Sequence, residues 1–189
     1  VLPLPGVHNI INATAAVAVG TMHGISQNDL QAAVAGMRPE KKRGEVVKFR
    51  DGFAVIDDSY NSNPKALTEM IRFLGRLKGY DRKIVVAGEM LELGPSSAEL
   101  HRECGKEAAL AGAAMIIAVQ GEARSILDGA REAGAAENRL RFAADADEAG
   151  RILAGEIRKG DVALIKGSRG VRLEQALSVL RATFASVEA

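Results

Sequence analysis

Ile84-Val85-Val86-Ala87, followed at once by Gly88-Glu89-Met90-Leu91-Glu92-Leu93-Gly94, decides the fold class. Four apolar residues without polar alternation read as a strand buried on both faces, the condition of a parallel sheet covered by helices. Ala163-Leu164-Ile165 has the same character. Around these runs strand and helix patterns alternate. Candidate strands are Glu45–Phe49, Phe53–Asp57, Lys83–Ala87, Met115–Val119, Leu140–Phe142 and Val162–Ile165; candidate helices lie near Pro64–Lys78, Ala98–Ala111, Glu122–Ala133, Ala146–Arg158 and Val171–Ala182. The first two strands, joined across Arg50-Asp51-Gly52, predict an antiparallel hairpin. The predicted fold over 39–189 is a Rossmann-like α/β domain, a mostly parallel sheet with flanking helices.

Helix boundaries are signalled locally. Asn63 and Pro64 predict an N-cap and first helical position, with a core stripe at Leu67, Met70, Ile71, Leu74 and Leu77. Ser96-Ser97-Ala98-Glu99 reads as a capping box for the next helix. Residues 1–38 differ: Pro3, Pro5 and Gly6 precede an Ala/Val-rich helix reaching Val19, and Ser26 precedes a second helix near Asn28–Ala35. This pair has no core of its own and reads as the tail of a preceding domain, with Pro39-Glu40-Lys41-Lys42-Arg43 as a linker. The first residue, Val1, suggests an excised piece.

Composition narrows the partners. The 189 residues carry 25 Lys and Arg against 24 Asp and Glu, so a net charge of +1 gives no electrostatic reason to expect nucleic acid or an anionic membrane. No run approaches the roughly 18 to 20 apolar residues of a bilayer span. The single cysteine, Cys104, excludes an internal disulfide and reads as a packed thiol, which suits a cytoplasmic setting. His8, His23 and His101 have no metal-ligand spacing, and no metal ligand is assigned.

Ligands of open α/β sheets bind beyond the carboxyl ends of the strands. Three loops there are rich in ligand-grade groups: Asp57-Asp58-Ser59-Tyr60-Asn61-Ser62-Asn63, the Gly88–Gly94 segment, and Lys166-Gly167-Ser168-Arg169-Gly170. In the last, glycines that admit a ligand, free amides of a helix starting near Val171, and two cations would suit a carboxylate or phosphate. Each loop also has a plainer reading as turn, cap or solvated charge, and Leu91 with Leu93 can simply pack beneath its loop. The chain lacks G-x-x-x-x-G-K-[ST], a G-x-G-x-x-G opening its first βα unit, a nucleophile elbow and a Cys–His constellation. No catalytic residue is assigned.

Pro5-Gly6-Val7-His8-Asn9-Ile10-Ile11-Asn12-Ala13, Arg43 before a strand, and the three loops just quoted occur in one order that resembles the Mur ligase family. The resemblance covers the whole chain, but the chain resembles only the later part of such an enzyme. It implies that 1–38 end the central ATPase domain and 39–189 form the C-terminal Rossmann-like domain. Among Mur ligases the loops most resemble those of the enzymes that add D-Ala-D-Ala to UDP-N-acetylmuramoyl-tripeptide, through an acyl phosphate, in peptidoglycan synthesis. Another amide-forming ligase of the same superfamily, or a non-catalytic Rossmann-like binding module, stays open beside it.

Residue roles follow from the resemblance alone. Asn9 and Asn12 match asparagines beside the adenine of ATP, Arg43 an arginine at the domain junction, Asp58 an acid near the ribose, and Asn61 a nucleotide or closing-interface residue. Lys166, Ser168 and Arg169 match a loop associated with the incoming amino-acid or peptide substrate, and Glu89 is placed with them by its loop. Mg2+ would be held mainly by a part of the central domain that lies outside this sequence. A monomeric enzyme is expected, with the C-terminal domain closing onto the ATPase domain to exclude water. The 189 residues by themselves are expected to lack ligase activity.

Overall fold

In a computed structural model, residues 2–4, 7–38 and 42–187 are described, Val7 and His8 by backbone only. The expectations for Pro5-Gly6, for Pro39-Glu40-Lys41 and for the side chain of His8 fall outside these. The chain divides into two units, Val1–Glu40 and Lys41–Ala189.

The first unit is a helix pair, α1 (Val7–Met22) and α2 (Gln27–Gly36). Ser26 caps α2 by accepting the Asp29 N–H, the arrangement expected of a serine that ends a turn. Ile10, Ile11, Val19 and Met22 are exposed on this pair.

The second unit contains β1 (Glu45–Lys48), β2 (Ala54–Asp57), α3 (Pro64–Arg76), β3 (Arg82–Gly88), α4 (Ser97–Leu110), β4 (Met115–Val119), α5 (Arg124–Glu132), β5 (Leu140–Ala143), α6 (Ala146–Glu156), β6 (Asp161–Lys166) and α7 (Glu174–Thr183). The strands form one sheet in the order β1-β2-β6-β3-β4-β5. β1 pairs antiparallel with β2, and every other pairing is parallel. The Rossmann-like α/β reading therefore holds. Successive strand residues face opposite sides: Ile84 and Val86 join a core with Leu153 of α6 and Leu177 of α7, while Val85 and Ala87 join one with Leu67 of α3, Cys104 of α4 and Ile126 of α5. Helices on both faces explain why β3 and β6 needed no polar alternation.

Two local expectations are corrected. A short 3-10 turn, Gly94–Ser96, runs into α4, so Ser96 has a near-helical backbone and its side chain makes no capping bond. The capping box fails because its first residue is never extended. Another 3-10 turn, Arg169–Val171, follows β6, and α7 starts at Glu174 rather than near Val171. Asn63, by contrast, caps α3 through a 2.9 Å bond from the Ala66 N–H.

Candidate functional site

The strand order places β6 between β2 and β3, so the three ligand-grade loops leave adjacent strand ends. β2 stops at Asp57, whose buried carboxylate accepts the Ser59 N–H at 3.1 Å and the Ser59 hydroxyl at 2.6 Å, turning the chain. Burial pushes the Asp57 carboxyl above its ordinary value, and the Ser59 bonds only partly counter this. The Asp58 N–H bonds Ile165 O at 2.9 Å, which carries the β2–β6 ladder one residue further. Its carboxylate then meets Lys166 Nζ at 2.6 Å. Lys166, only 4% exposed, also donates to Asn61 O at 2.9 Å. Two residues that the sequence assigned to different ligands thus form one buried ion pair, which ties the first loop to the third.

Ser168 joins the remaining loop. Its N–H donates to Glu89 O at 3.2 Å, and its hydroxyl accepts the Leu91 N–H at 3.0 Å. The glycines are needed at this junction. A Cβ on Gly167 would lie 2.7 Å from Leu173 Cδ1 and 3.1 Å from Gly88 Cα, and one on Gly170 would lie 2.8 Å from Leu91 Cδ1. Two of the amides after Arg169 are already taken: those of Val171 and Arg172 donate to Ser168 O and Arg169 O in the 3-10 turn. The helix start expected near Val171 is therefore replaced by a 3-10 turn, and the Arg169 side chain supplies the positive charge at this point.

Those side chains surround a cleft of about 420 Å³ lined by Asn61, Ser62, Asn63, Leu91, Glu92, Ser168, Arg169 and Gly170. Ser62 is 7% exposed, and its hydroxyl has no hydrogen-bond partner among the described residues. Such a group suits a ligand atom. Arg169 is exposed, with its guanidinium carbon 5.1 Å from the Tyr60 ring centroid; that of Arg43 lies 4.1 Å from the same ring. Lys42, read as wet linker, pairs with Glu174 at 2.9 Å. Leu91 does not pack beneath its loop but is exposed at the cleft, whereas Leu93 packs against the core.

Asp58, Asn61, Lys166, Ser168 and Arg169 are thus brought together, with Arg43 reached through Tyr60. Glu89 lies apart: its carboxylate accepts the Glu122 N–H at 3.0 Å and does not line the cleft. Asn9 and Asn12 belong to α1 in the first unit. Sequence reasoning gave no role to His101, which is fully buried on α4 and accepts the Met90 N–H at 2.8 Å. Its only sequence signal was a histidine on a helix with no metal-ligand spacing. Ser62 sat inside the first loop but had nothing to set it apart from its polar neighbours.

A family model described as Mur ligase, glutamate ligase domain, matches residues 42–169. The chain belongs to the Mur ligase family. The matched Mur ligase span runs from the Lys42 ion pair to Arg169 and so contains most of the cleft. The chain is 30% identical over 179 residues to the UDP-N-acetylmuramoyl-tripeptide--D-alanyl-D-alanine ligase of Bacillus subtilis, and 31% identical over 182 residues to that of Escherichia coli. Both alignments cover 95% of this chain but only 39% and 38% of those Mur ligases. Among solved structures, MurF from Acinetobacter baumannii superposes with a TM-score of 0.84 at 30% identity, covering 96% of this chain and 39% of that one. MurF from Thermotoga maritima in complex with ADP gives 0.78 at 27% identity, covering 95% and 39%.

Proposed function

We propose that this chain is the later part of an ATP-dependent amide-bond ligase that joins D-Ala-D-Ala to UDP-N-acetylmuramoyl-tripeptide in peptidoglycan synthesis. The observation that carries the reading is the convergence of three loops, 57–63, 88–94 and 166–170, on one polar cleft that holds an unpartnered buried hydroxyl and an exposed guanidinium. The names of the relatives at 30% and 31% identity support the choice of substrates, and the ADP held by the Thermotoga maritima relative supports use of a nucleotide. In this proposal 1–38 end a central ATPase domain, 39–189 form the C-terminal domain, and the enzyme is a cytoplasmic monomer. Among the described residues no helix is long and apolar enough to cross a membrane.

The incoming dipeptide carries a carboxylate at one end and its attacking amine at the other. Arg169 and the Ser62 hydroxyl supply charge and a donor for the carboxylate. Asp58 and Lys166 neutralise each other and lock two loops together, so the cleft keeps its shape while the amine is oriented. Ser168 holds the third loop against them. The side chains present also suit a nucleotide. Asn9 and Asn12 stand three residues apart on α1, a spacing that puts two amides on one helix face for a purine edge, and Arg43 offers a cation. ATP supplies the phosphoryl group that activates the tripeptide carboxylate as an acyl phosphate, from which the dipeptide amine displaces phosphate. Mg2+ is assigned mainly to the part of the relatives that this chain does not match.

The test is ATP-dependent phosphate release by the full-length protein with UDP-N-acetylmuramoyl-tripeptide and D-Ala-D-Ala, with single D-Ala and glutamate as competing amines. Release that requires the dipeptide is expected, and none from residues 1–189 alone. Release with glutamate instead would keep the family and overturn the substrate. No release with any amine would overturn the ligase reading.

A further inference from the structure

We propose that His101 is a positioning residue for the amine substrate: it holds the backbone of Met90 and thereby fixes the Leu91–Glu92 wall of the cleft. The inference rests on the ligase reading for the identity of the substrate and on geometry for the rest.

His101 has 0% exposure and does not itself line the cleft. The Met90 N–H donates to Nε2 at 2.8 Å, so Nε2 must carry a lone pair. The ring proton then sits on Nδ1, which lies 2.7 Å from Ser97 O in the first turn of α4. One neutral tautomer satisfies both bonds, and no aliphatic residue of similar size could. The buried Met90 amide would otherwise lack a partner.

The position of this bond gives it a second consequence. Glu89 N–H is held by Val119 O, Met90 N–H by His101 and Leu91 N–H by the Ser168 hydroxyl, three successive amides with three different anchors. The next residue, Glu92, has φ +66, a left-handed conformation that a non-glycine residue keeps only when its surroundings impose it. Leu91 and Glu92 both line the cleft. His101 is therefore the link that registers this wall against α4, while Ser168 registers it against Lys166 and Arg169.

Two variants of the full-length protein separate positioning from plain stabilisation. His101→Gln keeps an acceptor at the level of Nε2; His101→Asn keeps a donor toward Ser97 O and leaves the Met90 N–H unpaired. The Asn variant should raise the KM for D-Ala-D-Ala about tenfold, the equivalent of one good hydrogen bond, with the KM for ATP unchanged. It should also speed hydrogen exchange at Met90 and Leu91 without affecting α4. The Gln variant should restore both readouts. If both variants merely melt earlier while the amine KM and loop exchange stay at wild-type values, the proposal is overturned. Should His101→Asn fail to fold, Ser168→Ala must give the same amine-specific KM rise through the neighbouring clamp, and a normal KM there overturns the proposal equally. If the wild-type protein releases no phosphate with any amine, the ligase reading fails separately, and the exchange rates in the two variants alone decide whether His101 holds the wall.

Discussion

Each end of the parallel sheet carries a buried ion pair between strand ends, and the two pairs are finished differently. At the amino end Arg82 of β3 meets Asp161 of β6 through two bonds, 2.9 and 2.6 Å; Arg82 also donates to Glu156 O, and Asp161 accepts the Arg158 N–H at 2.8 Å. Both carboxylate oxygens are used, and a three-residue Arg158–Gly160 turn leads directly into Asp161. At the carboxyl end Asp58 and Lys166 share one 2.6 Å contact, and Lys166 spends a second bond on a loop carbonyl. Around them stand the unpartnered Ser62 hydroxyl, the left-handed Glu92 and two guanidiniums at one tyrosine ring. The first pair closes the sheet; the second braces the cleft proposed for substrate, where a buried hydroxyl has no partner among the described residues.

The sharpest way to break the comparison is Asp161→Ala. It strands the Arg82 guanidinium at a partly buried position and should cost about 3 kcal/mol, with any ligase activity of the folded enzyme retained, as read by denaturant titration beside phosphate release. Lys166→Ala should do the reverse. Lys166→Ala breaks one bond to Asp58 and one to Asn61 O, where Asp161→Ala breaks two from Arg82 and one from the Arg158 N–H, so the stability loss should be smaller than for Asp161→Ala, while activity falls about a hundredfold through loss of loop registration. Equal stability losses with unchanged activity would erase the distinction between the two ends.

Asp57 sharpens it through pH. Burial, partly offset by Ser59, holds its folded pKa above the ordinary 3.8. The stabilising contribution is therefore complete below 3.8 and is lost as pH rises through the folded value. Asp57→Asn removes that dependence, so wild type should lose stability relative to the variant on going upward from about pH 4, measured by urea unfolding across a pH series. The smallest effect belongs to Glu174→Gln. Burial raises the Glu174 carboxyl, but Lys42 and a backbone amide together hold it below the ordinary 4.5. Its contribution is present above 4.5 and lost as pH falls through the folded value. With both side chains about a third exposed, it should be worth under about 1 kcal/mol at neutral pH.

How much of this was legible follows from the range of each interaction. Buried strands announce themselves in Ile84–Ala87 because apolar runs are local, and the Asn63-Pro64 cap is local as well. The Asp58–Lys166 pair spans 108 positions in the chain and exists only because β6 inserts between β2 and β3. Both residues were singled out, but as contacts to different ligands. Gly167 was read as space for a ligand because sequence cannot show that Gly88 occupies that space. Ser96 failed as a cap because the preceding Gly94-Pro95 had already begun a tight turn. Arg82 with Asp161, and His101 with Met90, drew no attention: neither pattern has a spacing that distinguishes it from solvated charge or a packed histidine.

The central claim is that the carboxyl end of the sheet receives the anionic end of an amine substrate at Arg169. Steady-state kinetics of full-length Arg169→Ala against wild type, with D-Ala-D-Ala and ATP varied in turn, tests it most directly. The expected result is a KM for the dipeptide raised at least about tenfold, as for loss of a charge-assisted contact, with the KM for ATP unchanged. A dipeptide KM at the wild-type value would contradict the account.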